Sequence, residues 1–434
     1  MFSLLSQLLD FPSSWMPQSG ADVYKLCQFC FLSTPLLVPV IHNFSAPFGR
    51  FSISSSLNFH GNLGWFVMEV VSPITFILAF TSQPLSTQLL DPSGRFALRD
   101  VLSPSLSRLG QLPTVNLILG AAFVIHYLNR AVISPRRSPM RSPMHLSVIM
   151  SAIFFNLING FLMGSWLGGR SPALIIPATA LDSRKIVAAV LKERNWIKRL
   201  GLGARSVPVA LGALNLTPRT VTGPGLSTLT FLESLHHPLW IVGMVGWLAG
   251  FLSNLYHDEI LLDLRRPLLK RVTQVGREAS DDDIHQGEAG KPKYGIPKGG
   301  LYEYVSFPNY LCECESNKFP HKRVAHRSLS MAYLPRSLHV LPGGEWLSFA
   351  VAASAVTAIS PWNPASSSLP LTASARAVIS LTSPPFLFLL VEFIPMFSRA
   401  LQGHAWYRAK FGVEGDGKGG RYPKNRRAII PGLL

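Results

Sequence analysis

Leu63-Gly-Trp-Phe-Val-Met-Glu69-Val-Val-Ser-Pro-Ile-Thr-Phe-Ile-Leu-Ala-Phe-Thr81 is the stretch that decides the fold of this chain. It is an apolar run of bilayer length, since a transmembrane helix needs about 20 predominantly apolar residues. Similar blocks recur along the chain, and a single segment in lipid satisfies its backbone hydrogen bonds as a helix. The sequence therefore predicts an all-α, multi-pass membrane protein with about seven transmembrane helices. The predicted spans are Val23 to Ile41, Leu63 to Thr81, Leu112 to Leu128, Leu146 to Leu167, Pro238 to Leu255, Trp346 to Ile359 and Ala377 to Phe397.

The composition excludes most classes of soluble protein. Only 15% of the 434 residues are charged and 48% are hydrophobic, whereas soluble domains usually carry about 25% charged residues. The high apolar fraction excludes disorder, and four cysteines are too few for a disulfide-stapled module. The motifs Cys27-x-x-Cys30 and Cys312-x-Cys314 have no second pair nearby. We therefore predict no metal site, because structural zinc needs four ligands.

The excess of basic residues predicts an orientation in the membrane. Lys and Arg outnumber Asp and Glu by 40 to 23, and the formal net charge is +17. These residues lie between apolar blocks, as in cytosolic loops, and not on a soluble basic face, so we expect no nucleic-acid partner. The loops after the third, fifth and seventh spans are basic, which predicts a lumenal N-terminus and a cytosolic C-terminus. The basic loop between spans four and five conflicts with this, although long loops translocate largely regardless of charge.

Glu69 lies in the middle of an apolar span. A charged group at that depth costs roughly 2.5–3.5 kcal/mol on insertion scales, so the side chain is expected to face a cavity or a partner. The alternative is a neutral carboxyl group that packs against another helix. Tyr127, with His126 beside it, ends the third span, where a tyrosine taken alone is typical of an interface anchor.

The end of the fifth span carries a polar stripe. Asn254, Asp258 and Arg265 are separated by four and seven residues, which places them on one side of a helix. An amide, a carboxylate and a guanidinium at the end of a helix can hydrogen-bond a ribose hydroxyl and a phosphate. The alternative is a polar helix end that pairs with itself.

Two further segments follow this stripe. Tyr294-Gly-Ile-Pro-Lys-Gly299-Gly300-Leu-Tyr-Glu-Tyr304-Val-Ser-Phe-Pro-Asn309 contains a Gly-Gly pair, which permits a tight turn and close approach to a ligand. It lacks the Gly-x-Gly-x-x-Gly spacing that follows a strand in dinucleotide-binding folds. The closing segment begins Arg399-Ala-Leu-Gln-Gly-His404-Ala-Trp-Tyr407, which in isolation is typical of a basic anchor at the membrane surface.

Taken together, these segments resemble the steroid 5α-reductase family of membrane NADPH-dependent reductases. The match is carried by Asn254 to Pro267, Tyr294 to Glu313 and Arg399 to Pro431, with support from Gly64 to Glu69 and His126 to Arg130. The resemblance implies a seven-helix fold in the endoplasmic reticulum membrane that binds NADPH on the cytosolic side. It also implies reduction of the carbon–carbon double bond of an enone lipid that enters from the membrane.

The resemblance also implies roles for individual residues. Glu69 and Tyr127 match the pair that hydrogen-bonds the carbonyl oxygen, where negative charge grows. To donate, Glu69 must be protonated, which burial favours. Trp65 and Asn159 match positions on the substrate side. The positions expected to line the cofactor are Asn254, Asp258, Arg265, Tyr294, Asn309, Glu313, Arg399, His404 and Tyr407.

The chain departs from the family pattern at several points. Gly295 stands where the family often has an arginine, so Lys293 or Lys298 is expected to hold a phosphate instead. We divide the chain into an N-terminal segment, 1–60, and a reductase domain, 61–434. Within that domain, insertions are expected at about 168–236, 271–292 and 315–343. The last is read as a tolerated cytosolic loop, a lid, or an unremoved intervening sequence in the gene.

Three functions remain open on the sequence. A 3-oxo-Δ4-steroid is the substrate that the resemblance favours. A polyprenol or an enoyl thioester is the alternative within the same chemistry, since fold resemblance does not set the substrate. A non-catalytic sterol-binding relative is the alternative from another class, supported by Gly295 and the insertion after Cys314. Protein partners are not indicated.

Overall fold

The computed structural model describes most of the predicted spans and the segments between them. The described residues are 17, 20–82, 103–112, 114–139, 141–170, 238–278, 284–285, 294–314, 344–359, 383–415, 417 and 419–430. The predicted insertions 168–236 and 315–343 lie almost entirely outside them, and of 271–292 only 271–278 and 284–285 are described.

The described chain is mainly helical, with two short two-stranded sheets. The helices are α1 (Gly20–Ser33), α2 (Val38–Asn43), α3 (Gly61–Ser82), α4 (Thr114–Leu128), α5 (Ser134–Arg137), α6 (Leu146–Ser165), α7 (Pro238–Asp263), α8 (Gln274–Glu278), α9 (Pro308–Cys314), α10 (Glu345–Ile359) and α11 (Pro384–Phe411). The strands are β1 (Asn58–Phe59), β2 (Met144–His145), β3 (Ile284–His285) and β4 (Tyr294–Gly295), which pair antiparallel as β1 with β2 and β3 with β4.

Six helical segments of the described chain are long and apolar enough to cross a membrane, which confirms a multi-pass integral membrane protein. Short 3₁₀ or π-helical turns extend some helices within these segments. The six are Asp22–Asn43, Gly61–Ser82, Thr114–Arg137, Leu146–Gly168, Leu239–Asp263 and Pro384–Phe411.

Two of the predicted spans need correction. The predicted span Trp346 to Ile359 is α10, whose 15 residues are fewer than the roughly 20 that a bilayer requires. It packs inside the bundle, where Trp346 and Phe349 are fully buried. The last helix begins at Pro384, since proline is tolerated in the first turn, and it runs 14 residues past the predicted end at Phe397, to Phe411. Residues 377–382 of that predicted span lie outside the described residues.

Glycines bring α3 and α6 into backbone contact. A Cβ on Gly160 would collide with the Ser72 carbonyl oxygen, and one on Gly164 would collide with the Phe76 carbonyl oxygen. Small residues four apart let membrane helices approach closely. This contact fixes the depth of Glu69 on α3 relative to Asn159 on α6.

Replacing Gly164 by valine is expected to separate α3 from α6 and to lower the thermal unfolding temperature of the detergent-solubilised protein by several degrees. The added side chain must displace backbone atoms, and overpacking typically costs about 1–3 kcal/mol. Gly110→Val is the matched control, because a Cβ at Gly110 meets nothing within 4 Å. Equal unfolding temperatures for both variants would contradict the close packing.

Both ends of the predicted insertion 315–343 lie against α7. The Glu345 amide nitrogen is 2.6 Å, and the Cys312 carbonyl oxygen 3.1 Å, from the position that a Cβ on Gly250 would occupy. Cys312 and Glu345, near the two ends of this gap in the described chain, therefore lie close together.

Residues 294–314 and the C-terminal residues 419–430 pack together beyond the C-terminal end of α7. Ser306 and Phe307 donate backbone hydrogen bonds to the carbonyls of Arg427 and Ala428. Tyr407 stacks on Tyr422, with ring centroids 5.5 Å apart. These contacts pack the C-terminal segment against both the polar end of α11 and the segment that follows Gly300.

Candidate active site

A buried polar cluster lies between α3, α4 and α6. The Asn159 amide donates to the Tyr127 hydroxyl oxygen at 2.8 Å and to Ser72 Oγ at 3.3 Å. All three side chains are buried, and Tyr127 packs against the rings of Phe123 and Trp346. The structure therefore brings together two predicted residues, Tyr127 and Asn159, and adds Ser72, which no motif in the sequence had indicated.

Glu69 pairs with Arg130. From the sequence, Arg130 had been considered only as one of the basic residues after the third span. Arg130 Nε donates to Glu69 Oε1 at 3.0 Å, and Glu69 is 5% exposed. Glu69 is also close enough to Tyr127 to interact with it electrostatically. The carboxyl group that was expected to hydrogen-bond a substrate carbonyl is therefore paired with a guanidinium group.

Trp65 lies between two guanidinium groups. The Arg130 Cζ is 5.4 Å, and the Arg141 Cζ 4.4 Å, from the centre of its ring, while its indole nitrogen donates to the Arg130 carbonyl at 3.1 Å. Arginine stacks readily on aromatic faces. Trp65 thus links the buried carboxylate of Glu69 to the residues outside the spans.

A second buried pair was missed by sequence reasoning. His126 Nδ1 lies 2.6 Å from Glu345 Oε1, and both residues are buried. The pair joins the start of α10 to α4, one residue before Tyr127. The sequence shows His126 beside Tyr127 and Glu345 beside Trp346. It contains no local pattern that pairs His126 with Glu345, because the two residues are 219 positions apart.

The polar stripe at the end of α7 meets α9. Asn309 Nδ2 donates to Asp258 Oδ1 at 3.3 Å, and Asn254 is buried one turn before Asp258. The Arg265 Cζ lies 5.5 Å from the centre of the Tyr294 ring. Four of the predicted cofactor positions besides Asn254 are therefore paired with one another.

Arg141 lies close enough to Asp258, Arg265 and Arg130 to interact with their charges, and it adds a further positive charge to this region. Its burial, together with the charges of Arg265 and Arg130, lowers the pKa of Arg141 to about 10, although Asp258 opposes the shift. At neutral pH all three guanidinium groups are charged. A cluster of like charges of this kind is stabilised by binding an anion.

The last helix contributes an aromatic wall. Trp406 packs edge-on against Tyr294, with ring centroids 5.3 Å apart. Arg50, from the N-terminal segment, lies over the rings of Trp406 and Tyr407 at 5.1 and 4.6 Å. Arg399 lies over the Phe48 ring at 3.6 Å.

Some predicted residues have structural partners in the C-terminal cluster. His404 Nδ1 lies 2.6 Å from Ser306 Oγ, and Tyr407 is 3% exposed between aromatic rings. Gly300 brings the backbone close to α7, since the Leu301 amide donates to His257 Nε2 at 3.0 Å. The Glu313 side chain and all of Lys293 lie outside the described residues, and Lys298 is exposed.

Comparison with known proteins gives consistent matches. The family model described as 3-oxo-5-alpha-steroid 4-dehydrogenase matches residues 227–319. An uncharacterised protein of Schizosaccharomyces pombe is 27% identical over 399 residues, covering 90% of this chain and 92% of that protein. The mouse 3-oxo-5-alpha-steroid 4-dehydrogenase 1 is 24% identical over 343 residues, 79% of this chain and 78% of its own length. Steroid 5-alpha-reductase DET2 of Solanum lycopersicum is 22% identical over 404 residues, 88% of this chain and 99% of its own. The predicted resemblance to the steroid 5α-reductase family is confirmed.

Proposed function

We propose that this chain is an NADPH-dependent reductase of the carbon–carbon double bond of an enone lipid, most simply a 3-oxo-Δ4-steroid, in the endoplasmic reticulum membrane. The observation that carries the proposal is a series of neighbouring side chains that interact by a hydrogen bond, by stacking or electrostatically. It leads from the buried Tyr127 and Glu69, through Arg130, Trp65 and Arg141, to the polar end of α7. A lipid site and an anion site are thereby joined.

At the membrane end, Tyr127 is the donor to the substrate carbonyl. Asn159 donates to the phenolic oxygen and leaves the hydroxyl proton to an acceptor. Ser72 hydrogen-bonds the same hydroxyl group, so the substrate carbonyl would replace Ser72 as that acceptor. A preorganised donor in a water-excluded site stabilises the negative charge that develops on the carbonyl oxygen. Glu69 is proposed as the second group at that oxygen, and its pairing with Arg130 gives it a competing role as a counter-ion.

At the other end, the residues suit a phosphorylated dinucleotide. Arg265 and Arg141 provide clustered positive charge, and Asp258 with Asn309 provides oxygen and amide groups for ribose hydroxyls. The rings of Tyr294 and Trp406 form an aromatic surface beside them. NADPH, when bound, supplies the hydride for the reduction. We propose that it enters from the cytosolic side, with the N-terminus in the lumen.

The substrate is tested by NADPH oxidation in microsomes that contain the full chain. Oxidation that depends on progesterone or testosterone supports the proposal. Oxidation only with a polyprenal or an enoyl thioester identifies the alternative lipid. Absence of oxidation with every substrate contradicts an enzymatic role and favours a sterol-binding relative.

Cofactor choice gives a prediction for Arg265. We expect a higher kcat/KM with NADPH than with NADH, because clustered arginines suit a 2′-phosphate, whereas a 2′-hydroxyl prefers an acidic partner. Arg265→Ala is expected to weaken NADPH binding about 10-fold or more, as a charge-assisted hydrogen bond is lost. The exposed Arg136 provides the control variant Arg136→Ala. Equal kcat/KM for NADPH and NADH would show that these arginines serve membrane topology alone.

A further inference from the structure

The segment before α3 supplies a cation to the same region. Arg50 lies over three aromatic rings, with its Cζ 5.0, 5.1 and 4.6 Å from the centres of Phe307, Trp406 and Tyr407. Within the described chain, its one hydrogen bond is to the Gly403 carbonyl, at 3.5 Å. Such stacking holds the guanidinium plane in place while leaving most of its N–H groups for a ligand.

Arg399 of α11 lies next to this group. It donates to the Phe48 carbonyl at 3.3 Å, and its Nη2 lies 3.4 Å from the position of a Cβ on Gly49. Gly49 has φ of 64°, a conformation that favours glycine. The turn at Gly49 therefore brings Arg50 and Arg399, 349 residues apart in the sequence, into one cluster.

Two cations in close proximity require compensation. Arg50 and Arg399 interact as like charges, and within the described residues neither forms an ion pair with a carboxylate. Aromatic faces offset part of the repulsion, but an arginine fork is best matched by a phosphate or carboxylate. The arrangement has the charge and the stacked geometry of an anion site.

The docking of the N-terminal segment is specific. The His145 amide donates to the Pro47 carbonyl at 3.3 Å, and the Leu146 amide donates to that of Leu57 at 2.9 Å. Phe48 and Trp65 pack against the same apolar cluster, formed by the start of α6 and by Met68. Arg50 is thus fixed against the same framework that positions Trp65 and Arg141.

We propose that Arg50 and Arg399 together bind a phosphate group of the dinucleotide, so that the N-terminal segment completes the cofactor site. This inference rests on the proposed function. Tyr294 and Trp406 separate this arginine pair from Arg265, and a phosphorylated dinucleotide carries two separate anionic groups, its pyrophosphate and its 2′-phosphate. Arg50 and Arg399 would bind one of these groups, and Arg141 and Arg265 would bind the other.

The test measures binding of NADPH and NADH to the purified full chain by fluorescence titration. Arg50→Gln is expected to weaken binding of NADPH about 10- to 100-fold, as for a lost charge-assisted hydrogen bond. Arg136→Gln, at an exposed arginine, is the matched control and is expected to leave both affinities unchanged. A loss confined to NADPH supports contact with the 2′-phosphate, and an equal loss for NADH supports contact with the pyrophosphate. Unchanged affinity for both ligands overturns the proposal.

A second measurement separates this inference from the proposed function. Inorganic pyrophosphate is expected to raise the unfolding temperature of the wild-type chain and of Arg136→Gln, and to raise that of Arg50→Gln by less, because only the Arg265 and Arg141 cluster remains intact in that variant. If the wild-type chain binds neither nucleotide, the proposed function fails, and the pyrophosphate shift alone decides the anion site. If Arg50→Gln is unfolded without ligand, Arg50→Lys replaces it, because lysine keeps the charge and loses the planar fork. A pyrophosphate shift that is as large in the folded Arg50 variant as in the wild-type chain overturns the anion site.

Discussion

Glu69→Gln is expected to lower kcat about 10²–10³-fold and to leave the affinity for NADPH nearly unchanged, which is the usual effect of losing one group that stabilises a developing oxyanion. Glu69 is buried in α3 beside Tyr127, whereas the proposed cofactor residue Arg265 lies after the end of α7, against Tyr294. Single-turnover rates and NADPH titration of the purified variant measure the two effects separately.

The control for Glu69→Gln is Glu278→Gln, at an exposed residue of α8. Arg130→Met and the double variant distinguish the two proposed roles of Glu69. If Glu69 acts through its ion pair with Arg130, the two single losses are not additive. If it contacts the carbonyl oxygen independently, they add. Full activity of Glu69→Gln would make Glu69 a packing residue.

Tyr127→Phe is expected to lower kcat by a similar factor of about 10²–10³. The ring remains, so its contacts with Phe123 and Trp346 are kept, and the unfolding temperature should change little. Only the hydroxyl group that Asn159 orients is lost. Comparison of kcat and KM with the steroid tests this, since loss of a transition-state interaction lowers kcat more than it changes KM.

Tyr304→Phe is the matched control for Tyr127→Phe. Tyr304 is 41% exposed beside the Gly-Gly segment, so removal of its hydroxyl should leave turnover unchanged. Undiminished turnover in Tyr127→Phe would mean that the Tyr127 hydroxyl serves only to satisfy the buried Asn159 amide.

The class of the fold followed from the sequence because its signal is local. Runs such as Leu63 to Thr81 are long enough to cross a bilayer, and lipid admits few backbone structures besides a helix. The use of local sequence signals alone also explains why α10 was wrongly predicted to be a transmembrane span. Its 15 residues are apolar because the helix is buried within the bundle, and periodicity alone does not separate a buried helix from a short span.

The polar end of α7 was also predictable. Asn254 and Asp258 share a face of α7 by spacing alone, whereas Arg265, which was expected on the same face, lies in the turn after α7 ends at Asp263. The structure adds Asn309 as the partner of Asp258 and Tyr294 as the partner of Arg265. The alternative of a self-paired helix end is partly realised one turn away, where Arg266 binds Glu259 and Asp263. These two carboxylates bind Arg266, whereas the guanidinium group of Arg265 lies over the Tyr294 ring.

What the sequence by itself determined was membrane insertion, the order of the helices and the local residue stripes, since each depends on neighbours within one or two helical turns. Tertiary structure alone decided the partners of the buried charges. Glu69 pairs with Arg130, 61 residues away, and His126 with Glu345, 219 residues away. Arg50 reaches Arg399 across nearly the whole chain. A buried charge is stable only with a partner, but helix packing selects that partner, and no periodicity in the sequence encodes which helices will touch.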